Sequence, residues 1–238
     1  MRATRFEFER RFWIIAAIYF AGFSFFRFDI GAIAAVRHLV APSIAPGSAQ
    51  AGTFSRIIIT AGALLVFLTA ALRTWGAAYL CTDVVHDTGQ HSETLVADGP
   101  FRYVRNPLYL ANVPMAAGIG VLASRLGWVF LVVASWVFVY RLIFREEETF
   151  GQTQGESYRA YCRAVPRFWP SFTPRVASGS RSPQWGQAFA GESFVWLFGL
   201  AELCFALTLD IRVAATVFGL GFVAHFLVIP LVRKHARG

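Results

Sequence analysis

The sequence predicts an all-α fold, a polytopic membrane helical bundle of about six transmembrane helices. Three observations carry this. The chain is 56% hydrophobic with a mean hydropathy of +0.50, above the roughly 45–50% apolar content of a soluble domain. The excess is gathered into blocks long enough to cross a hydrocarbon layer about 30 Å thick, which takes about 20 helical residues. The basic residues flank these blocks and favour one side of them.

The first apolar block covers residues 12–36 and holds Arg27 and Asp29 near its far end. The second, 54–80, contains Arg73. Blocks three (107–123) and four (127–144) are separated by a short turn at Ser124 and Arg125, so an antiparallel helical hairpin is expected. Blocks five (193–209) and six (213–232) form a second hairpin around the turn at 210–212. Lipid offers no partner to unpaired backbone groups, so spanning blocks of this kind must be helical. The chain reads as a single integral membrane domain over 1–238, with a core over 73–170 and an additional hairpin over 188–238. The basic run at 1–11 is followed by no small-residue cleavage site, and the first block is expected to be a retained helix.

Sixteen Lys and Arg residues fall on one side of this layout: Arg2, Arg5, Arg10 and Arg11, then Arg102 and Arg105, seven between Arg141 and Arg181, and Arg233, Lys234 and Arg237. Arg27, Arg37, Arg56, Arg125 and Arg212 fall on the other. The positive-inside rule then places both termini, residues 81–106 and residues 145–192 in the cytoplasm of an inner or plasma membrane. The net charge of +8 and pI near 10 are thereby explained by topology and anionic headgroups, and nucleic acid is not expected as a partner. Cys81, Cys162 and Cys204 are few and unclustered, which suggests neither a disulfide framework nor a zinc site. His86 and His91 lie five apart on a polar segment, a spacing that matches no helical metal pair, and no metal is expected. Residues 175–187, rich in Ser, Gly and Pro, read as a mobile linker.

Two constellations could carry chemistry. GPFRYVRNPLYL (99–110) combines a Gly-Pro turn, the cations Arg102 and Arg105, and Pro107 in a helical first turn, whose N-terminus is a ready anion site. An arginine-rich anchor with interfacial aromatics has the same composition. REEETFGQTQGESYRAYCRAVPRFWP (145–170) places Glu146, Glu147 and Glu148 directly after an apolar helix. Three adjacent carboxylates there need compensation, from Arg102, Arg105, Arg145 and Arg167 or from a bound cation. A solvated helix end with ordinary pairing is the alternative. Gly118-Ile119-Gly120 reads as close helix packing, or as room for a flat ligand. Arg73, an ionisable residue inside a membrane block, reads as a functional group with a partner to be named or, near a helix end, as a snorkelling side chain.

Together these segments resemble the isoprenylcysteine carboxyl methyltransferase and phospholipid methyltransferase superfamily of integral membrane methyltransferases. The resemblance rests on LVADGPFRYVRNPLYL, a helical hairpin, a Glu-Glu pair, then YxxY and VPRFWP. It covers about residues 73–170 and implies a cytoplasmic pocket for S-adenosylmethionine. Carried over residue by residue, it implies cofactor contacts at Tyr103, Arg105, Asn106, Pro107, Tyr109 and Leu110, then Gly118 and Gly120, Glu146 and Glu147, and Tyr158, Tyr161 and Pro166. It assigns the chemistry to Arg167, Arg105 and Glu147. Glu146 or Glu147 would hold the cofactor ammonium, Arg105 its carboxylate, and tyrosine faces its sulfonium or adenine. Arg167 would orient a carboxylate acceptor. Many relatives have histidine at Asn106, and asparagine does not titrate near neutral pH.

The resemblance implies a lipophilic or amphiphilic acceptor: an isoprenylcysteine-like carboxylate, a phospholipid amine or a thiol, entering from the bilayer. Oligomeric state is left open. Two other readings share features of the chain. One is an NADPH-dependent sterol-type membrane reductase, which has a similar closing segment. The other is a small transporter or assembly protein, which calls for polar residues at mid-membrane depth.

Overall fold

A computed structural model describes the backbone of residues 2–80, 97–179 and 181–235, and side chains as far as residue 227. The polar segment with His86 and His91 lies outside the described residues. The described chain is helical, without strands. A short α1 (Arg5–Glu9) is closed at its start by a reciprocal cap, in which the Thr4 hydroxyl accepts from Glu7 N–H and the Glu7 carboxylate accepts from Thr4 N–H. Then come α2 (Arg11–Ser24), α3 (Ala32–Val40), α4 (Ala49–Leu80), α5 (Pro107–Gly120), α6 (Arg125–Thr153), α7 (Gly155–Ala164), α8 (Trp185–Thr208) and α9 (Ile211–His235).

Among the described residues, α4, α6 and α8 are long and apolar enough to cross a membrane. The helices in the first and third expected spans are shorter, for local reasons. The first block is not one helix: α2 ends at Ser24, a 3-10 turn covers Phe25–Arg27, and α3 begins at Ala32. The break falls at Asp29, whose carboxylate accepts from Leu126 N–H at 2.8 Å and from Arg125 at 3.0 and 3.3 Å. A polar side chain spent on capping the start of α6 cannot also sit within a continuous apolar helix. Helix α5 starts at Pro107 and ends at Gly120, fourteen residues in all. Helix α9 runs for 25 residues, Ile211–His235.

Helix α4 lies centrally, packed against α5 and α8; α9 packs on α8, and α2 and α6 close the other side through α5. Small residues let these axes approach. A Cβ on Gly118 would lie 2.7 Å from the Gly62 carbonyl oxygen and 2.8 Å from Val66 Cγ2, so α4 and α5 touch backbone to backbone there. The same holds for α2 and α6, where a Cβ on Gly127 would overlap the Gly22 carbonyl. Around these crossings Val66, Ala70, Ile119 and Val195 form one buried cluster and Ala116, Ala123 and Leu131 another.

The tightness of the α4–α5 crossing is testable. Gly118→Ala should lower the melting temperature of the detergent-solubilised protein by an amount equivalent to roughly 1–3 kcal/mol, the usual cost of overpacking. Gly151→Ala, where nothing lies within 4 Å of the added methyl, should leave it unchanged or raise it slightly.

Candidate active site

The two sequence constellations meet at one end of the bundle, and local geometry explains how. Gly99 adopts φ +55°, and any side chain there would strike the Tyr79 ring. It opens a 3-10 turn (Gly99–Arg102) that buries Pro100 and Phe101. Asn106 stands at the N-cap of α5, which Pro107 starts. On the other constellation, α6 runs on to Thr153, so the glutamates lie within a helix rather than beyond one. The chain then reverses at Gly155, φ +59°, into α7. Helix α7 buries Tyr158 and Tyr161 against Val165. Burial pushes both phenols upward, so they stay neutral, and the Tyr161 hydroxyl donates to the Phe101 carbonyl at 2.7 Å.

Residues 165–179, together with Arg181, form a strap along the 3-10 turn. Arg105 N–H donates to the Pro166 carbonyl at 3.0 Å, Ser171 N–H to Tyr103 at 3.0 Å and Arg175 N–H to Arg102 at 2.9 Å. The buried Asp98 carboxylate accepts from the Ser178 hydroxyl and Gly179 N–H, each at 2.7 Å, and from Arg181 N–H at 3.3 Å. Burial alone would raise its pKa, but these donors outweigh it and hold it below the usual value. The segment expected to be a mobile linker is thus tied down along much of its length, a correction with a stated cause: Asp98 supplies acceptors for its backbone.

Three adjacent glutamates on α6 face three directions, because successive helical residues are about 100° apart. Glu148 pairs with Arg2 at the surface. Glu146 lines a cavity and accepts from the Tyr109 hydroxyl. Glu147 points inward and is 8% exposed. It accepts from Arg105 at 3.1 Å, from Asn106 Nδ2 at 3.0 Å and from Arg167 Nε at 2.8 Å. The Arg167 guanidinium also lies 4.3 Å from the centre of the Phe144 ring. One carboxylate therefore serves two cations, and Arg105 Nε remains buried with no hydrogen-bond partner among the described residues.

A cavity of about 1130 Å³ opens beside this knot. Arg105, Asn106, Pro107 and Tyr109 line it from the first motif, and Glu146, Tyr158 and Tyr161 from the second. Glu147, Arg167 and Pro166 stand behind that wall and hold it. Tyr103 packs its ring on Trp75 at 5.9 Å, and Leu110 is part of the first turn of α5. Gly118 and Gly120 do not line the cavity. The space beside them is filled by Gly62, Val66 and Trp128, so they serve helix packing.

Other lining residues were given no site role from the sequence. Arg73 is not snorkelling: Glu192 of α8 holds it in a bidentate pair at 2.6 and 3.1 Å, and it reaches the Leu108 carbonyl and Asn112 Oδ1, each at 3.3 Å. Helices α8 and α9 supply much of the apolar wall, including Phe194, Phe198, Phe205 and Phe218, together with Glu202. A signal for them existed in the sequence, since Asn112 and Glu202 are polar residues inside apolar blocks and Glu192 directly precedes one.

Removing the Glu147 carboxylate would leave two facing guanidiniums uncompensated. Glu147→Ala should cost about 3–5 kcal/mol in thermal or denaturant unfolding, and Glu147→Gln less. For Asp98, a lowered folded-state pKa means stabilisation that is complete above the unfolded value of about 4 and lost as pH falls through the folded one. The melting-temperature gap between the native protein and Asp98→Asn should be full at about pH 6 and close as pH falls below about 4.

Comparison with known proteins places this geometry in a family context. Residues 57–154 match the family model described as phospholipid methyltransferase. The cobalt-zinc-cadmium resistance protein CzcN of Cupriavidus metallidurans is 29% identical over 116 residues, 49% of this chain and 50% of that protein. The nickel-cobalt-cadmium resistance protein NccN of Alcaligenes xylosoxydans xylosoxydans is 26% identical over 116 residues, 49% and 51% of the two chains. The matched region thus spans about half the length of these curated relatives. No solved structure matches the chain. Residues 57–154, which carry most of α4, all of α5 and α6 with Glu147, thus match the phospholipid methyltransferase family of the isoprenylcysteine carboxyl methyltransferase-like superfamily.

Proposed function

We propose that this protein is an S-adenosylmethionine-dependent methyltransferase of the inner or plasma membrane that acts on a lipophilic or amphiphilic acceptor. In this reading the bundle crosses the bilayer about six times, with the shorter α2 and α5, and with α9, completing it beside α4, α6 and α8. Both termini and the charged end of the cavity face the cytoplasm. The single observation that carries the reading is the polar end of the cavity, where Arg105, Glu146, Tyr158 and Tyr161 converge from the two motif segments.

The residues there fit the cofactor's chemistry. Arg105 has a buried Nε–H with no partner, which suits a carboxylate. Glu146 places an acceptor on the same wall, which suits an ammonium. Tyr158 and Phe150, whose rings lie 5.5 Å apart, offer aromatic faces for a sulfonium or a purine. When bound, S-adenosylmethionine supplies an electrophilic methyl group. The protein's own contribution is alignment and dryness: Arg105 and Glu146 orient from one wall while the apolar remainder of the cavity excludes water and admits the acceptor. Glu147 and Arg167 act behind the wall. Their mutual pairing sets the position of Arg105 and the strap, so they are positioning residues.

Saturating S-adenosylhomocysteine should raise the melting temperature of the solubilised protein by an amount equivalent to about 2.7 kcal/mol at a hundredfold excess over Kd. Glu146→Gln should weaken that binding by about tenfold or more. Absence of any shift with the native protein, beside a clear shift with NADPH, would overturn the methyltransferase reading in favour of a reductase.

A further inference from the structure

The cavity is far longer than its charged end requires. Arg11 and Phe23 both line it and stand twelve residues apart on α2, about 18 Å along the axis. At the remote end lies Glu202, 3% exposed, with both carboxylate oxygens buried and without a hydrogen-bond partner among the described residues. Its distance from the charged end can be read along α4. Arg73 reaches the Leu108 carbonyl near the start of α5, whereas Glu202 Oε1 lies against Gly62, where a Cβ would be 2.6 Å away. Those two positions on α4 are eleven residues apart, about 16 Å.

Tyr19 of α2 also lines the cavity, and its hydroxyl is likewise buried without a partner among the described residues. Arg73, the cation between the two ends, is committed to Glu192 and Asn112. Phe23, Phe198, Phe205 and Phe218 supply the apolar wall around this remote end. A buried carboxylate left without donors costs several kcal/mol in such surroundings, and an ionisable residue inside a membrane bundle marks a ligand path more often than a packing role. A purely structural core would place an apolar residue at this position.

We propose that Glu202 and Tyr19 form a second polar station in the cavity, which receives a hydrogen-bond-donating group, hydroxyl or ammonium, at the end of a long amphiphile remote from its reacting group. The ligand class is therefore a two-ended amphiphile: a polar group at the Arg105–Glu146 end, an apolar middle against the phenylalanines and a donor at Glu202. This deepens the methyltransferase reading and rests on it for the assignment of the reacting end. The pairing of station and span also acts as a ruler, since a chain too short to reach Glu202 leaves its oxygens unsatisfied.

The test measures equilibrium binding to the full-length protein in phosphatidylcholine nanodiscs. The probes are dodecanediol and dodecanediamine, each compared with its one-ended counterpart, dodecanol or dodecylamine. At least one two-ended probe should bind about tenfold or more tightly than its counterpart, the worth of a buried hydrogen bond to a charged group. A larger advantage for the diamine identifies an ammonium at the station; a larger advantage for the diol identifies a hydroxyl. Glu202→Leu should abolish the advantage and Tyr19→Phe should reduce it. Equal binding of one-ended and two-ended probes to the native protein overturns the proposal without reference to any variant, as does an advantage that survives in a folded Glu202→Leu protein. S-adenosylhomocysteine affinity, measured in the same discs, should be unchanged in Glu202→Leu. Failure of the native protein to bind it would remove the methyltransferase reading while leaving the two-ended ligand result standing.

Discussion

The buried carboxylate of Glu147 is the interaction on which the charged end of this protein depends. It joins the start of α5 through Arg105 and Asn106 to the strap through Arg167, across 42, 41 and 20 residues of sequence. Burying an ion pair gains little net stability, because desolvation offsets most of the attraction. What it supplies here is a fixed geometry. Two guanidiniums sharing one carboxylate leave donors that Glu147 does not satisfy. Arg167 has the Phe144 ring, and Arg105 turns its Nε toward the interior without a partner. The knot thus leaves an excess of positive charge beside the cavity, suited to an anionic group.

The same economy of charge runs through the middle of the bundle. Arg73 and Glu192 cancel each other in a bidentate pair, with Asn112 and the Leu108 carbonyl taking the remaining contacts. That pairing ties the last helical hairpin to the core, because Glu192 belongs to α8 while Asn112 and Leu108 belong to α5. The hairpin is therefore part of the cavity rather than a cover beside it. Small residues make the arrangement compact: where Gly62 faces Gly118, α4 and α5 touch by their backbones.

Much of this was legible from local properties. Hydropathy located the long helices, since burying or exposing an apolar run to lipid depends mainly on its own composition. The short turns at Ser124 and near Asp210 announced both hairpins. The motif segments at 99–110 and 145–170 pointed to one end of the bundle because the α5–α6 hairpin between them returns the chain to the same side. The helix lengths were less legible. Asp29 interrupts the first block because it caps α6, a partner 97 residues away that hydropathy does not register. The strap was read as a loose linker because Ser, Gly and Pro favour flexibility locally, yet Asp98 supplies their backbone with acceptors.

By itself the sequence determined the helical class, the approximate blocks, the two motif segments that hold Arg105, Glu146, Tyr158 and Tyr161, and the match of residues 57–154 to a phospholipid methyltransferase family model. These are consequences of composition, order and spacing. Tertiary structure alone decided which glutamate does what. The helical repeat dictates that Glu146, Glu147 and Glu148 face different directions, but not which faces which. That depends on the rotation of α6 about its own axis, set by how it packs on α2 and α5. The same rotational choice on α5 turned Gly118 and Gly120 toward helix neighbours. On α8, it brought Glu192 to Arg73 and left Glu202 beside the cavity without a partner among the described residues.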